Sequence, residues 1–217
     1  QTATVEVNLD EMVFERPPTG ELPPEGIHWR GTFAPMQDEI ILKRTKLPLA
    51  QRFARANRID RRMLGEDGAR FGLVTAGKAY QDTMQALATL GIDAARARAL
   101  GIAVYKVGMI WPLEPEGLRE FAQGKAELMF IEEKNAFVES QSASLLYNLA
   151  SRPRITGKSD DAGLPLLPSD TLLEPIDVAL AIAQRLQANG VWDEALAARV
   201  SATRSYRGAL LAVTSPG

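Results

Sequence analysis

Gly72, Gly77 and Lys78 have a spacing that is used for phosphate binding. They match the pattern G-x-x-x-x-G-K, the first part of the P-loop motif. Ala79 stands where that motif needs a magnesium-binding hydroxyl, and the intervening residues read as a strand, so no loop is long enough to wrap a phosphate. The pattern therefore favours a tight strand-to-helix turn in which Gly77 supplies backbone freedom. A second interpretation stays open, in which Thr75 and the first amides of the following helix face an anion or a neighbouring domain.

Two other groups of residues follow apolar runs that read as strands. Glu132, Glu133 and Lys134 follow one of them, at a place where carboxylates often bind ligands or transfer protons. The plainer alternative is a solvated rim or an interdomain salt bridge. Trp111 and Pro112 follow another run, and a tryptophan there either caps a pocket or fills a domain interface. We favour the interface, because large aromatic residues concentrate in interfaces.

Residue types that are missing exclude several chemistries. The 217 residues include no cysteine and one histidine, His28. The chain therefore cannot hold a thiolate-ligated iron–sulfur cluster or a common zinc site, and we predict no metal site. A thiol nucleophile is excluded, and a serine–histidine–aspartate catalytic triad would depend on His28. His28 lies in the Pro/Gly-rich stretch PPEGIHWRG and is interpreted as a packing or surface residue.

Short apolar runs alternate with helical patterns from about residue 70 onward. Strands are predicted at residues 71–75, 102–108, 127–133 and 154–158, and helices at about 78–90, 114–124 and 137–149 and from Pro175. This alternation is typical of a mostly parallel sheet covered by helices on both faces. The predicted fold class is therefore a three-layer α/β/α domain.

The chain is divided into three parts by its patterns. Residues 1–67 read as an extended, Pro-rich N-terminal connector, with an edge strand at Ala3, Val5, Val7 and Leu9 and a short basic helix over 47–58. Residues 68–190 form the α/β domain, and residues 191–217 a C-terminal helix and tail. The tail loses its helical pattern after WDEALAARV, so RSYRGALLAVTSPG is predicted to be frayed or docked.

Charge and hydropathy exclude two classes of partner. There are 25 basic and 27 acidic residues, a net charge of -2, whereas neutralising several phosphates of a nucleic acid needs a basic surplus or a dense basic face. The longest uncharged run, residues 137–151, is broken only by Glu139 and is too short and polar to cross a bilayer. No signal peptide is visible. We expect a cytoplasmic protein that binds neither nucleic acid nor membrane.

Several strings in the right order carry a family resemblance. They are LKRTKLPLAQRFARANRIDR, VTAGKAYQDTMQALATLGID, YKVGMIWPLEPEGLREFA, LMFIEEKNAFVESQ and RPRITGK. Together they resemble the second domain of indolepyruvate ferredoxin oxidoreductase in its long, fused bacterial form. The resemblance runs from the connector to about Leu186. It departs in the tail, where the family leads into a cysteine-containing stretch and this chain has SYRGALLAVTSPG.

The resemblance implies a thiamine-diphosphate-dependent 2-oxoacid:ferredoxin oxidoreductase. Such enzymes oxidatively decarboxylate aryl-pyruvates to acyl-CoA and pass electrons through iron–sulfur clusters to ferredoxin. Their thiamine diphosphate lies between two other domains, and this segment resembles the transketolase C-terminal-like domain between them. That domain has a sheet of about five strands, mostly parallel with one antiparallel edge. The family's magnesium, thiamine diphosphate and iron–sulfur clusters would thus be held outside this chain.

The expected function is a structural and assembly domain, a fragment of the oxidoreductase that is inactive alone. No catalytic or confident cofactor-binding residue is carried over by the resemblance. The positions that match the family's motifs are interpreted as turn formers and docking contacts: Thr75, Gly77, Lys78, Gly108, Trp111, Pro112, Glu114, Glu132, Glu133 and Lys134. Expected partners are the other domains or subunits of the enzyme, ferredoxin and coenzyme A for the parent enzyme, and a second copy in a homodimer. The alternative is a stand-alone α/β anion- or nucleotide-binding or interaction domain.

Overall fold

The structure is a computed structural model that describes residues 8, 10, 13–24, 26–28 and 34–214. The chain divides into two compact units, one ending at Ile59 and the other beginning at Asp60. The predicted domain boundaries after residues 67 and 190 stay predictions. Ala3, Val5, Val7 and Leu9, on which the predicted edge strand depends, lie outside the described residues.

Helical structure dominates the described part of the first unit. Helix α1 (Pro35–Ile41) continues through a π-helical turn (Leu42–Lys46) into α2 (Leu47–Ala56), so the predicted basic helix is confirmed. The helix begins earlier than expected, because Pro35 suits a first helical turn and the residues after it are good helix formers. The extended segment 13–20 packs along α2, with Phe14 against Phe53 at 5.8 Å between ring centroids.

The second unit is built on a sheet of five strands. These are β1 (Arg61–Leu64), β2 (Phe71–Ala76), β3 (Ile102–Val107), β4 (Glu127–Ile131) and β5 (Arg154–Thr156), in the spatial order β1-β3-β2-β4-β5. Strand β1 runs antiparallel to β3, and the other pairs are parallel. The predicted fold class, including one antiparallel edge, is confirmed. The strand that the sequence did not locate is β1, whose four residues are exposed or half-buried and give no buried face to recognise.

Helices cover both faces of this sheet. The bounds are α3 (Lys78–Thr89), α4 (Ala94–Leu100), α5 (Pro115–Ala122), α6 (Phe137–Leu146), α7 (Pro175–Ala188) and α8 (Glu194–Thr214). Helices α3, α4, α7 and α8 contribute to one buried apolar cluster with Leu73 of β2, and α5 and α6 contribute to another with Val74. Adjacent strand residues point to opposite faces, so β2 takes part in both clusters.

Helix α4 was not predicted, although its boundaries carry ordinary signals. Asp93 caps it by accepting a hydrogen bond from the Arg96 amide, and Gly101 ends it in the left-handed conformation at φ 68°. Its seven residues are too few for a periodic apolar pattern to stand out.

The predicted loss of helical structure after WDEALAARV is wrong, because the helix continues through the segment that was expected to be frayed or docked. Helix α8 is continuous to Thr214, and Leu196 and Val200 are buried in the cluster that includes α7. Seven of the fourteen residues from 201 to 214 are alanine, leucine or arginine, which have high helix propensity, and Gly208 is the weakest helix former among the rest. Helix propensity thus explains why the helix continues where the amphipathic pattern ends.

Candidate functional site

The carboxyl edge of the sheet gathers most residues that the sequence singled out. Strands β2, β3 and β4 are parallel, so Thr75, Gly108 and Glu132 lie at the same edge. Because β1 is antiparallel to β3, Asp60 at its start joins them there. His28, in contrast, is exposed in the first unit.

The turn between β2 and α3 leaves a polar group unpaired. Thr75 is 1% exposed, and its hydroxyl Oγ1 has no hydrogen-bond partner. Gly77 has φ 55° and ψ -131°, which favours glycine, and a Cβ added there would meet nothing within 4 Å. No side chain caps the amino end of α3. The predicted tight turn is therefore confirmed.

The ammonium group of Lys78 has three partners within the second unit. Its Nζ donates to Asp82 Oδ2 at 2.7 Å and to the Leu173 carbonyl at 2.9 Å, and forms an ion pair with Glu133 Oε1 at 3.2 Å. An ammonium has three donors, so none remains for an external phosphate. Burial lowers the pKa of Lys78, but the hydrogen bonds with Asp82 and Glu133 outweigh burial and raise its pKa overall.

Glu114 and Glu132 both serve as helix caps. The Glu114 carboxylate accepts from the amides of Glu116 and Gly117, each at 2.8 Å, at the start of α5. The Glu132 carboxylate accepts from the first-turn amides of α6 at 2.7 and 2.9 Å. These carboxylates satisfy donors that a helix leaves unpaired and favour its positive end, so they position loops rather than transfer protons.

Glu139 and Lys158 belong to this edge, and the sequence analysis did not identify them as site residues. The Lys158 ammonium donates to the carbonyls of Glu132 and Pro168, and its backbone amide donates to Glu139 Oε2 at 3.2 Å. Burial lowers the pKa of Lys158 and raises the pKa of Glu139. Of the strings that carry the resemblance, RPRITGK ends in this lysine and LMFIEEKNAFVESQ contains Glu139, but neither marked them as a pair. Both polar side chains tie β5 to neighbouring segments.

Asp60 holds the loop that follows β3. Its Oδ1 accepts from the amides of Gly108 at 2.7 Å and Met109 at 3.0 Å, whereas its Oδ2 is buried without a partner. Burial raises the pKa of Asp60, although the two amide hydrogen bonds oppose the rise. Sequence reasoning missed this residue because it precedes a strand that the pattern did not locate.

Three apolar side chains project from the same edge. We call Ile110, Trp111 and Phe137 the edge cluster; they are 47%, 61% and 48% exposed. The Gln141 amide donates to the carbonyls of Ile110 and Phe137, both at 3.1 Å, and so joins the loop after β3 to α6. Pro112 is half-buried behind Trp111. Lys134, also exposed, forms no ion pair among the described residues.

The residues present do not fit the iron–sulfur clusters or the metal ion that the resemblance implies. Iron–sulfur clusters need thiolates, and the sequence has no cysteine. Within the described ranges, no group of three or more His, Asp or Glu side chains is placed to hold a metal ion such as the magnesium of a bound diphosphate. The sequence thus supplies no cluster ligand and the described part supplies no metal cage. In the same part of the chain, no helix combines the length and apolar character that spanning a bilayer requires.

Fold and edge together define an α/β domain in which Lys78, Glu114 and Glu132 bond within the chain, at an edge that also exposes the apolar edge cluster. The family profile of the indolepyruvate oxidoreductase domain matches residues 61–209, more than half of the chain. The chain therefore belongs to the indolepyruvate oxidoreductase domain family, and the resemblance found in the sequence is confirmed.

Solved structures add similarities of lower weight. The chain is 19% identical to a split-gene transketolase described as an inactive β4 tetramer, with a TM-score of 0.41, covering 58% of this chain and 41% of that one. It is 15% identical to a 2-oxoglutarate:ferredoxin oxidoreductase from Magnetococcus marinus, with a TM-score of 0.42, covering 72% of this chain and 24% of that one. The chain thus spans less than half of either structure. A search of curated proteins found no match.

Proposed function

We propose that this chain is a structural and assembly domain of a thiamine-diphosphate-dependent indolepyruvate ferredoxin oxidoreductase. The complete enzyme would oxidatively decarboxylate aryl-pyruvates to acyl-CoA, with ferredoxin and coenzyme A as partners. This chain would be a fragment of that enzyme, transketolase C-terminal-like and catalytically inactive alone, working in the cytoplasm. Membership of the indolepyruvate oxidoreductase domain family supports the proposal.

The observation that carries the proposal is the edge cluster. A tryptophan, a phenylalanine and an isoleucine are exposed at this edge of the sheet, on segments that hydrogen bonds from Gln141 join and that Asp60 helps to hold. Exposed apolar groups on a rigid support are typical of a surface that another domain covers. The carboxylates beside them, Glu114 and Glu132, cap helices, so this edge supports docking better than acid–base catalysis.

Cofactors would then be supplied by the rest of the enzyme. The resemblance implies thiamine diphosphate, magnesium and iron–sulfur clusters in the parent, and this chain has no cysteine for the clusters and, among its described residues, no group of side chains placed to hold a metal ion. The isolated 217-residue chain is therefore expected to show no tight binding of thiamine diphosphate in calorimetry with magnesium present. Tight binding would contradict the proposal.

Assembly is tested in the complete oxidoreductase that carries this domain. Trp111→Ser and Phe137→Ser together remove most of the exposed apolar surface of the edge cluster, and we expect the assembled fraction in gel filtration to fall more than tenfold. Tyr206→Ser is the matched control, because Tyr206 is an equally exposed aromatic on α8, at 67%. Equal assembly of the edge variant and the control would refute docking through this surface. A second copy of the chain as the docking partner would appear as loss of a homodimer.

A further inference from the structure

The amino end of α3 differs from those of the other helices in the second unit. Carboxylates accept from first-turn amides at the starts of α4 to α8: Asp93, Glu114, Glu132, Glu174 and Asp193. Helix α3, twelve residues long, has no capping side chain. The Tyr80 amide donates to the Gly77 carbonyl at 3.3 Å, so the amides of Lys78 and Ala79 and the positive end of the helix dipole are left for another acceptor.

Thr75 is the second, independent observation at this place. Its side chain is on the same sheet face as Phe71 and Leu73, which pack with Ala79 of α3, and it comes three residues before that helix begins. The hydroxyl is buried and has no partner among the described residues. A buried hydroxyl without a partner costs stability that an isosteric valine would not, so its role is best explained by a bond to a group outside the chain.

Lys106 supplies a cation beside that hydroxyl. It is the register neighbour of Thr75 on β3, and register neighbours in a parallel pair share a face. Its ammonium lies 4.7 Å from the ring centroid of Tyr80, in the first turn of α3, and it has no carboxylate partner among the described residues. Gly77 leaves open space at the turn. Thr75 on β2, Lys106 on β3 and the first amides of α3 thus lie in the same part of the fold.

We propose that Thr75, Lys106 and the first amides of α3 form a binding site for a phosphate group. Every group named is a donor, and a phosphate oxyanion accepts several hydrogen bonds at once. The site goes beyond the docking function proposed above and does not depend on it. The cationic side chain of this site is Lys106 rather than Lys78, because the donors of Lys78 already have partners within the chain.

The expected affinity is modest, for two physical reasons. Lys106 must leave the Tyr80 ring before it reaches an oxygen bonded to Thr75, which costs a cation–π contact. Asp82 and Glu133 lie near the same helix end, and Lys78 only balances part of their charge. We therefore expect a dissociation constant of about 1 to 10 mM for inorganic phosphate.

The test is a titration of the 217-residue chain with inorganic phosphate at constant ionic strength, followed by backbone amide NMR shifts of residues 77–80. Thr75→Val and Lys106→Met should each weaken saturable binding at least tenfold. Lys134→Met is the matched control, since it removes a lysine charge at the same edge, and it should leave binding unchanged. Thr75→Val is expected to be at least as stable as the native chain, so its loss of binding is not a loss of fold.

The other outcomes are equally defined. The absence of a saturable shift at about 50 mM phosphate, which is about 5 to 50 times the expected dissociation constant, would overturn the proposal. So would binding that Thr75→Val leaves unchanged, because the hydroxyl would then be bonded by water only. A parallel titration with AMP separates two sources of the same chemistry: tighter binding than inorganic phosphate indicates the phosphate of a larger ligand, and equal binding indicates free phosphate. Either result supports the site.

Discussion

A buried polar side chain at the amino end of the sheet has a full set of hydrogen-bond partners, whereas one at the carboxyl end has none among the described residues. At the amino end, Glu127 is fully buried and accepts from Thr156 Oγ1 at 2.7 Å, from Arg185 at 2.7 and 3.0 Å and from Asn189 at 2.8 Å. At the carboxyl end, Thr75 is equally buried and its hydroxyl bonds to nothing. The first arrangement satisfies every acceptor with groups from the chain itself, and the second leaves a donor for something else.

This difference distinguishes a buried group that stabilises the fold from groups that are available for binding. The Glu127 group joins β4, β5 and α7 through one carboxylate, so its interactions are complete without any ligand. Burial raises the pKa of Glu127, but the bonds from Arg185, Asn189 and Thr156 outweigh burial and lower its pKa overall. The carboxyl end has the uncapped helix α3 and the edge cluster, for which we propose a phosphate ligand and a neighbouring domain.

The largest expected effect is at the amino end. Arg185→Met leaves Glu127 buried without its main partner, and we expect the free energy of unfolding to fall by about 3 to 5 kcal/mol in urea denaturation. Arg154→Met is the control: Arg154 also pairs with Glu127, at 3.4 Å, but is 47% exposed, and its removal should cost less than about 1 kcal/mol. Equal losses in the free energy of unfolding for the two variants would contradict the distinction between a buried ion pair and an exposed one.

Lys78→Met should have a smaller effect at the carboxyl end. The change leaves Asp82, which is 7% exposed, without its ammonium partner and frees the Leu173 carbonyl. We expect a loss of about 1 to 2 kcal/mol in the free energy of unfolding by urea denaturation. If Lys78 instead served an external anion, its removal would change stability little in the absence of ligand.

Thr75→Val should act in the opposite direction. It replaces an unsatisfied buried hydroxyl with a methyl group of the same shape, in a strand where valine is favoured. We expect a gain of about 1 kcal/mol in the free energy of unfolding, measured by urea denaturation in phosphate-free buffer. Thr156→Val, which removes a hydroxyl bonded to Glu127, should lose stability under the same conditions. A loss in both variants would mean that the Thr75 hydroxyl is already satisfied.

Asp60→Asn should give the smallest effect, seen as a change with pH. Burial raises the pKa of Asp60 in the folded chain. Its contribution to stability is therefore fully present below the pKa of the unfolded chain and is lost as the pH rises through the raised folded pKa. The stability of the asparagine variant relative to the native chain should thus increase over that interval, measured by urea denaturation at several pH values. A flat difference would show that the carboxyl is solvated.

Much of the fold was predictable because its signals are local. Apolar runs marked β2 to β5, and Pro115 and Pro175 at helix starts with Gly124 and Gly91 beyond helix ends marked the helices between them. Strand β1 and helix α4 were missed, since each is short and neither has a strong apolar period. The site was predicted in part: the residues at the strand ends were found, but Asp60, Lys106, Glu139 and Lys158 were not.

By itself, the sequence determined the α/β class, the family, the strand-to-helix turn at Gly77 and the absence of thiolate chemistry. These follow from residue types and from spacings of a few positions. Only the tertiary structure decided which charges at the carboxyl edge are already paired. Lys78 reaches Leu173, 95 positions away, and Lys158 reaches Glu132, 26 positions away. Hydrogen bonds depend on distances of about 3 Å in space, which sequence separation does not record, so the free hydroxyl of Thr75 could be recognised only after the chain had folded.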